Sequence, residues 1–239
     1  MKRCIITYAA GAHEELLDVA LPTYKDFARR HGYDLIVGQK MCDLPPAWNK
    51  IPLLIDALSC PGQGYDEVVW FDCDLVVVDA SSDFPSIPQE KLHAMVRHFE
   101  DNSEVPNSGV WRLRLDALPL LDKILELEVF RNHGWWEQAA LLTMMGYCVP
   151  PEGSHFPDTK CKCVYPTKWH DACQFMRLCW NSHPMYRAEH PRIVHCSYPK
   201  MTQRLDVMRA LVKDSAFDYP RYDKVEEEEE VEDERSKDN

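Results

Sequence analysis

The feature that most constrains this 239-residue chain is an apolar run broken by two acids. Glu67-Val68-Val69-Trp70-Phe71 has the β-branched and aromatic character of a strand buried on both faces. Asp72 and Asp74 interrupt it, and Leu75-Val76-Val77-Val78 resumes the apolar text. Carboxylates driven into an apolar core without partners carry a heavy desolvation cost. The pair fits a strand that runs out at a cleft, as ligand sites do at the carboxyl edges of open α/β sheets. Side chains two apart on an extended chain share a face. Two hard oxygen ligands there suit Mg²⁺ or Mn²⁺, with phosphate oxygens completing the shell. On spacing alone, the pattern also fits a surface turn that carries two acids.

Around this segment, strand and helix patterns alternate through the first two thirds of the chain, which predicts an α/β sandwich. Residues 3–9 read as a first strand. A helix follows through Leu17, Leu21, Tyr24 and Ala28 and stops at Gly32. Pro22 inside it is expected to kink or restart it. Further strands are expected at 33–37, 92–98 and 109–115, and a helix at 50–58. The stretch Gly62-Gln63-Gly64-Tyr65 reads as a turn. A helix over 117–130 is capped by Asp116, and another covers 136–145. The segment 150–191 is proline-dense and reads as a loop-rich subdomain with one helix at 170–180. A last amphipathic helix spans 202–213.

Of the net charge of −12, the stretch 223–239 holds −7, from ten acidic and three basic residues. That tail is predicted to be disordered, because it cannot bury enough apolar surface to offset ordering entropy. The remaining body, 1–222, reads as one mildly acidic domain, which argues against a broad nucleic-acid-binding surface. No apolar run is long enough for a transmembrane segment. Met1-Lys2-Arg3 and the short apolar stretch after it read as a strand start rather than an export signal. Ten cysteines without a regular framework then imply thiols in a reducing, cytoplasmic setting. Cys161, Cys163, His170, Cys173 and Cys179 do not show the paired spacing of zinc sites, so metal-free loop thiols are expected there.

Trp70-Phe71-Asp72-Cys73-Asp74-Leu75-Val76-Val77 resembles the Asp-x-Asp strand of GT-A-fold glycosyltransferases. The chain is similar in particular to the yeast α-galactosyl- and α-mannosyltransferases and plant xyloglucan xylosyltransferases. Five further stretches match that family in order. Tyr24 with Phe27-Ala28-Arg29-Arg30-His31-Gly32-Tyr33-Asp34 resembles its first helix end, and Trp48-Asn49-Lys50-Ile51 its second helix start. Asn107-Ser108-Gly109-Val110-Trp111-Arg112-Leu113-Arg114 resembles a strand, and Trp136-Glu137-Gln138-Ala139-Ala140 a helix start. Ile193-Val194-His195 resembles the segment before its last helix. Two departures bear on donor choice and acceptor recognition. The loop His195-Cys196-Ser197-Tyr198-Pro199 lacks the family's glycine, and the cysteine-rich stretch 161–179 has no counterpart.

The resemblance implies a Rossmann-like nucleotide-diphospho-sugar transferase fold, with a mixed, mostly parallel central sheet flanked by helices. It implies transfer from a UDP- or GDP-sugar to a hydroxyl acceptor with retention of configuration, segment 150–191 lying on the acceptor side. Asp72, Asp74 and His195 are then the ligands of Mn²⁺ or Mg²⁺, although a histidine after an apolar pair is by itself also a common structural residue. Thr7, Ala9, Ala10 and Gly11 fall where the nucleoside sits. Lys50 and Asp72 contact the donor, while Asn107, Ser108 and Gly109 line the sugar pocket. Lys200 and Arg204 lend positive charge, or simply start a solvated helix. Glu137 and Gln138 are placed to stabilise an oxocarbenium-like centre. Two other functions stay open. A nucleotidyltransferase shares the scaffold and metal carboxylates, but Ala9-Ala10-Gly11-Ala12-His13 lacks the basic residue its Gly-rich loop needs. The other is a non-catalytic relative that binds a nucleotide sugar or a partner.

Overall fold

The chain runs β1 (Arg3–Thr7), α1 (Glu14–His31), β2 (Asp34–Val37), α2 (Lys50–Ser59), β3 (Glu67–Phe71), β4 (Leu75–Val77), β5 (His93–Glu100), β6 (Ser103–Arg114), α3 (Leu118–Leu125), α4 (Trp136–Met145), β7 (Tyr147–Cys148), β8 (Lys162–Cys163), α5 (Lys168–Asp171), β9 (Cys173–Met176), β10 (Ile193–His195) and α6 (Met201–Lys213). This computed structural model describes residues 1–60, 64–100, 103–149 and 161–221. The acidic tail at 223–239, the first part of the 150–191 segment and half of the turn at 62–65 lie outside the described residues.

Six strands form the central sheet in the order β2-β1-β3-β6-β5-β9. Only β6 runs against the others, so the sheet is mixed and mostly parallel, as expected. All five residues of β3 are buried, because helices cover both faces. The two-residue alternation divides them. Val68 and Trp70, with Cys4 and Ile6 of β1, join the core filled by Ile51 and Leu54 of α2, Leu120 of α3 and Leu141 of α4. Val69 and Phe71, with Ile5, join the opposite core with Leu16, Tyr24 and Phe27 of α1 and Leu205, Met208 and Leu211 of α6. Since α1 and α2 pack on opposite faces, the chain changes side between β1 and β3. A crevice opens beyond the carboxyl ends of such a strand pair. Among the described residues, no helix is long and apolar enough to cross a membrane.

Several local expectations are revised. Helix α1 continues through Pro22 as one 18-residue helix and ends on Gly32, whose φ of 69° only glycine adopts at little cost. Asp116 does not cap α3, which starts later and ends at Leu125 because Leu127 leaves helical geometry. The helix expected at 170–180 is one turn, α5, followed by the edge strand β9. Cys173 and Phe175 face one core and Met176 the other, a period of two rather than 3.6. The run Leu75–Val77 does not continue β3; it forms β4, antiparallel to β10.

A buried ion pair ties the sheet centre. Arg112 of β6 meets Glu67 of β3 at 2.7 Å, lies over the Phe84 ring and donates to the Pro85 carbonyl. Both side chains are almost wholly buried, at 2% and 5% exposure. Arg112→Met strands the Glu67 carboxylate and is expected to lower stability by about 3–5 kcal/mol. Adding Glu67→Leu is expected to recover much of that loss. Chemical denaturation midpoints of the single and double variants check both outcomes.

Candidate active site

Asp72 and Asp74 sit in the turn that leaves β3, not on the strand, so a shared strand face is not what brings them together. The turn is pinned from three sides. The buried Tyr24 hydroxyl donates toward the carbonyls of Asp72 (2.6 Å) and Leu75 (3.0 Å). The Asp72 N–H donates to the Gly109 carbonyl at 2.9 Å, and the Cys196 N–H to the Asp74 carbonyl at 2.8 Å. The β4–β10 register sets His195 opposite Leu75. His195 Nε2 then lies 3.2 Å from Asp74 Oδ1 and 3.9 Å from Asp72 Oδ2. One ligand atom from each of the three falls within 4.8 Å of the others, a group that could hold a metal ion. Among the described residues no other three His, Cys, Asp or Glu side chains converge this way, and Cys161, Cys163, His170, Cys173 and Cys179 do not. No disulfide joins any of the ten cysteines.

A relay behind His195 fixes which ring nitrogen faces the acids. The Gly109 N–H can only donate, so the atom 2.9 Å away is the Asn107 carbonyl oxygen, Oδ1. That oxygen also accepts from Asn181 Nδ2 at 2.8 Å. The other end of the Asn181 amide is therefore its oxygen, which faces His195 Nδ1 at 3.1 Å and takes its proton. Nε2 is left to face Asp74 and Asp72, where a proton on it donates to Asp74 and can be exchanged for a metal ion. Gly109 matters for the same reason. A Cβ there would come 2.6 Å from the imidazole and 2.8 Å from Asn107 Oδ1, so the glycine makes room for the ring of His195.

A second charged centre adjoins the first. Lys50, at the start of α2, is buried to 3% exposure between two carboxylates. Its Nζ lies 3.1 Å from Asp72 Oδ1 and 2.6 Å from Glu137 Oε1, and donates to Ser108 Oγ at 3.0 Å. Trp70 Nε1 donates to the same Asp72 oxygen at 2.6 Å, leaving Oδ2 toward His195. Burial alone would lower the Lys50 pKa, but Asp72 and Glu137 together raise it. Burial raises the Glu137 pKa, Asp72 adds to that, and Lys50 offsets only part. Burial also acts to raise Asp74, yet His195 and Arg204 outweigh it and hold the carboxyl well below the usual range. The Ser108 N–H donates to Gln138 Oε1 at 2.9 Å, so the Gln138 NH₂ is the end left with donors to offer.

These groups face one cavity of about 430 Å³, within the range of small-molecule sites. Ala9, Ala10, Lys50, Asp72, Asp74, Ser108, Glu137, Gln138 and His195 line it, as does Arg204, whose guanidinium lies 3.2 Å from Asp74 Oδ2. Five expected residues do not. Thr7 is fully buried, Gly11 and Lys200 are exposed outside the lining, and Asn107 and Gly109 stand behind His195. The charge expected at Lys200 is delivered one turn later by Arg204. Tyr8, His13, Trp135 and Trp136 also line the cavity, unassigned by the motif reading. Asn181 and the Trp70 indole were missed because their roles depend on contacts, not spacing; only the resemblance of Asn107 to a pocket residue pointed toward that relay.

Outer partners of metal-bound histidines are typically worth 10- to 100-fold in affinity. Asn181→Ala is expected to weaken Mn²⁺ binding by roughly that factor with little change in fold. Gly109→Ala, which pushes the ring aside, is expected to do at least as much. Calorimetric titration of each variant with Mn²⁺ checks this, alongside thermal melts.

No protein-family model matches the chain, and no curated protein matches it. Solved structures do. A glycosyltransferase involved in glycosylation of the major capsid of PBCV-1 superposes with a TM-score of 0.65 at 14% identity, over 88% of this chain and 100% of that one. The galactosyltransferase LgtC, in complex with donor and acceptor sugar analogs, gives 0.53 at 10% identity, over 86% and 95%. The glycosyltransferase GlyE of Streptococcus pneumoniae TIGR4 gives 0.52 at 13% identity, over 93% of this chain and 66% of that one. The chain has the fold of these glycosyltransferases, the GT-A fold.

Proposed function

We propose that the chain is a metal-dependent glycosyltransferase that moves a sugar from a UDP- or GDP-sugar to a hydroxyl acceptor with retention of configuration. One observation carries this reading: the Asp72–Asp74–His195 group and Glu137 are joined through Lys50 in a single cavity. Tyr8, Ala9 and Ala10, beyond the end of β1, would receive the nucleoside. Mn²⁺ or Mg²⁺ fits the two carboxylates and the imidazole, and when bound supplies Lewis acidity toward the departing diphosphate. Arg204, now against Asp74, is placed to take up phosphate charge. Glu137 keeps a negative group beside the sugar, favouring a cationic transition state. The Gln138 NH₂ can donate to a sugar oxygen, while its carbonyl fixes Ser108. The nucleotidyltransferase alternative lacks support, since no Lys or Arg of the loop after β1 reaches the cavity. Ten cysteines outside any disulfide favour a reducing, cytoplasmic compartment.

Calorimetry of UDP and GDP with and without Mn²⁺ tests the metal site. Binding is expected to need the ion, and Asp74→Asn and His195→Ala are each expected to lose it by tenfold or more while melting near wild type. Metal-independent binding of equal strength in all three proteins would sink the site. A second test concerns chemistry. Glu137→Gln is expected to lower kcat of donor hydrolysis by at least 100-fold with KM little changed, the pattern of an interaction made in the transition state. Proton NMR of the released sugar is expected to show the donor's anomer first; the opposite anomer would exclude retention.

A further inference from the structure

The mechanism leaves Trp136 without a task. It opens α4 with a φ of 41°, the only positive φ at a non-glycine among the described residues. A tryptophan in this region is strained, and such strain persists only where surrounding structure over-determines it. Here a buried His133 does so: its carbonyl accepts the Trp136 N–H at 2.9 Å and its Nδ1 accepts the Trp135 N–H at 3.0 Å. The product of this rigid turn is a tryptophan 42% exposed, in the lining of the cavity. The fold thus holds a large apolar ring out of its core, on a strained backbone, at the lining of the cavity.

The place of the ring selects the ligand. In the sheet β3 separates β1, at the nucleoside end, from β6, whose Ser108 is held by Gln138. Trp136 lies two residues before Gln138, so it flanks the sugar end of the cavity. An exposed indole face presents a negative quadrupole. The apolar C–H face of a pyranose ring is complementary to it, and sugar hydroxyls can meet Gln138 and the cavity rim. We infer that Trp136 is the stacking platform of an acceptor subsite and that the acceptor is a saccharide. The inference rests on the transferase reading for the word acceptor, though not for the binding itself.

The test uses the full chain and two variants. Trp136→Asn removes the ring and suits the positive φ, so the protein is expected to be at least as stable as wild type. Trp136→Tyr keeps an aromatic face. Saturation-transfer NMR with the methyl glycosides of glucose, galactose, mannose and xylose, and with maltotriose and cellotriose, is expected to find a saccharide that binds. Its affinity is expected to fall roughly tenfold or more in Trp136→Asn, matching an aromatic stacking contribution, and to be largely kept in Trp136→Tyr. Calorimetry of UDP with Mn²⁺ is expected to be the same in all three. If no saccharide binds, or it binds Trp136→Asn equally well, the platform is wrong. A variant that weakens the UDP-sugar but not UDP would assign the ring to the donor and also overturn it. Failure of UDP to bind wild type would overturn the transferase reading alone, because saccharide binding is read separately.

Discussion

Everything at this site depends on how three crowded carboxylates, Asp74 and Glu137 buried and Asp72 partly so, are given cationic partners. Asp72, Asp74 and Glu137 crowd the exit of a strand whose five residues are all buried. Placing anions there is costly unless partners replace water. The protein supplies two permanent cations, Lys50 shared by Asp72 and Glu137, and Arg204 on Asp74. Three anions and two cations leave the cluster short of neutrality, with His195 as the group drawn toward a positive charge by Asp74. A divalent cation would turn that deficit into an excess, which is the local field a nucleoside diphosphate requires. The architecture therefore makes electrostatic sense as a place where cation and polyanion arrive together.

The sheet explains why these charges can be held so close. Two cores clamp β1 and β3 from opposite sides, and the turn after β3 inherits their rigidity through Tyr24, Gly109 and Cys196. The small β4–β10 sheet then brings a residue some 120 positions away to the same turn. A catalytic arrangement tolerates little misplacement, and groups anchored on packed strands and helix starts are held better than groups on loops. Here the acids are in a loop, but the Asp72 N–H and the carbonyls of Asp72 and Asp74 are tied to β6, to the buried Tyr24 and to Cys196.

What could be read from the residues follows the range of the forces involved. β3 was legible because burial on both faces writes an unbroken apolar run, and α4 was placed to the residue. The acid pair was legible as a chemical anomaly in that run. Its geometry was not, since a turn and a strand can carry the same two acids. His195 entered only through resemblance: three residues of β10 carry no signal of the strand 116 positions earlier that they pair with. Asn181 was invisible because its task is to pass hydrogen-bond polarity between two side chains. The segment at 170–180 misled because four residues of alternating burial are too short to distinguish from part of a helix.

The solved structures share this fold at 10–14% identity. The charge cluster of this chain requires a strand buried on both faces, a pinned turn with two acids, a histidine aimed by its second nitrogen, and a cation between the turn and the helix carrying Glu137. Each can be met by many sequences, because burial and charge balance constrain residue classes more than identities. Tyr8, His13, Trp135 and Trp136 are different. They face the cavity outside the charge balance, and of the four only Tyr8 and Trp135 pack against a core. Residues that the charge cluster does not need, but that the fold holds at the cavity wall, are where such a site can choose its ligand without disturbing the charges beneath it.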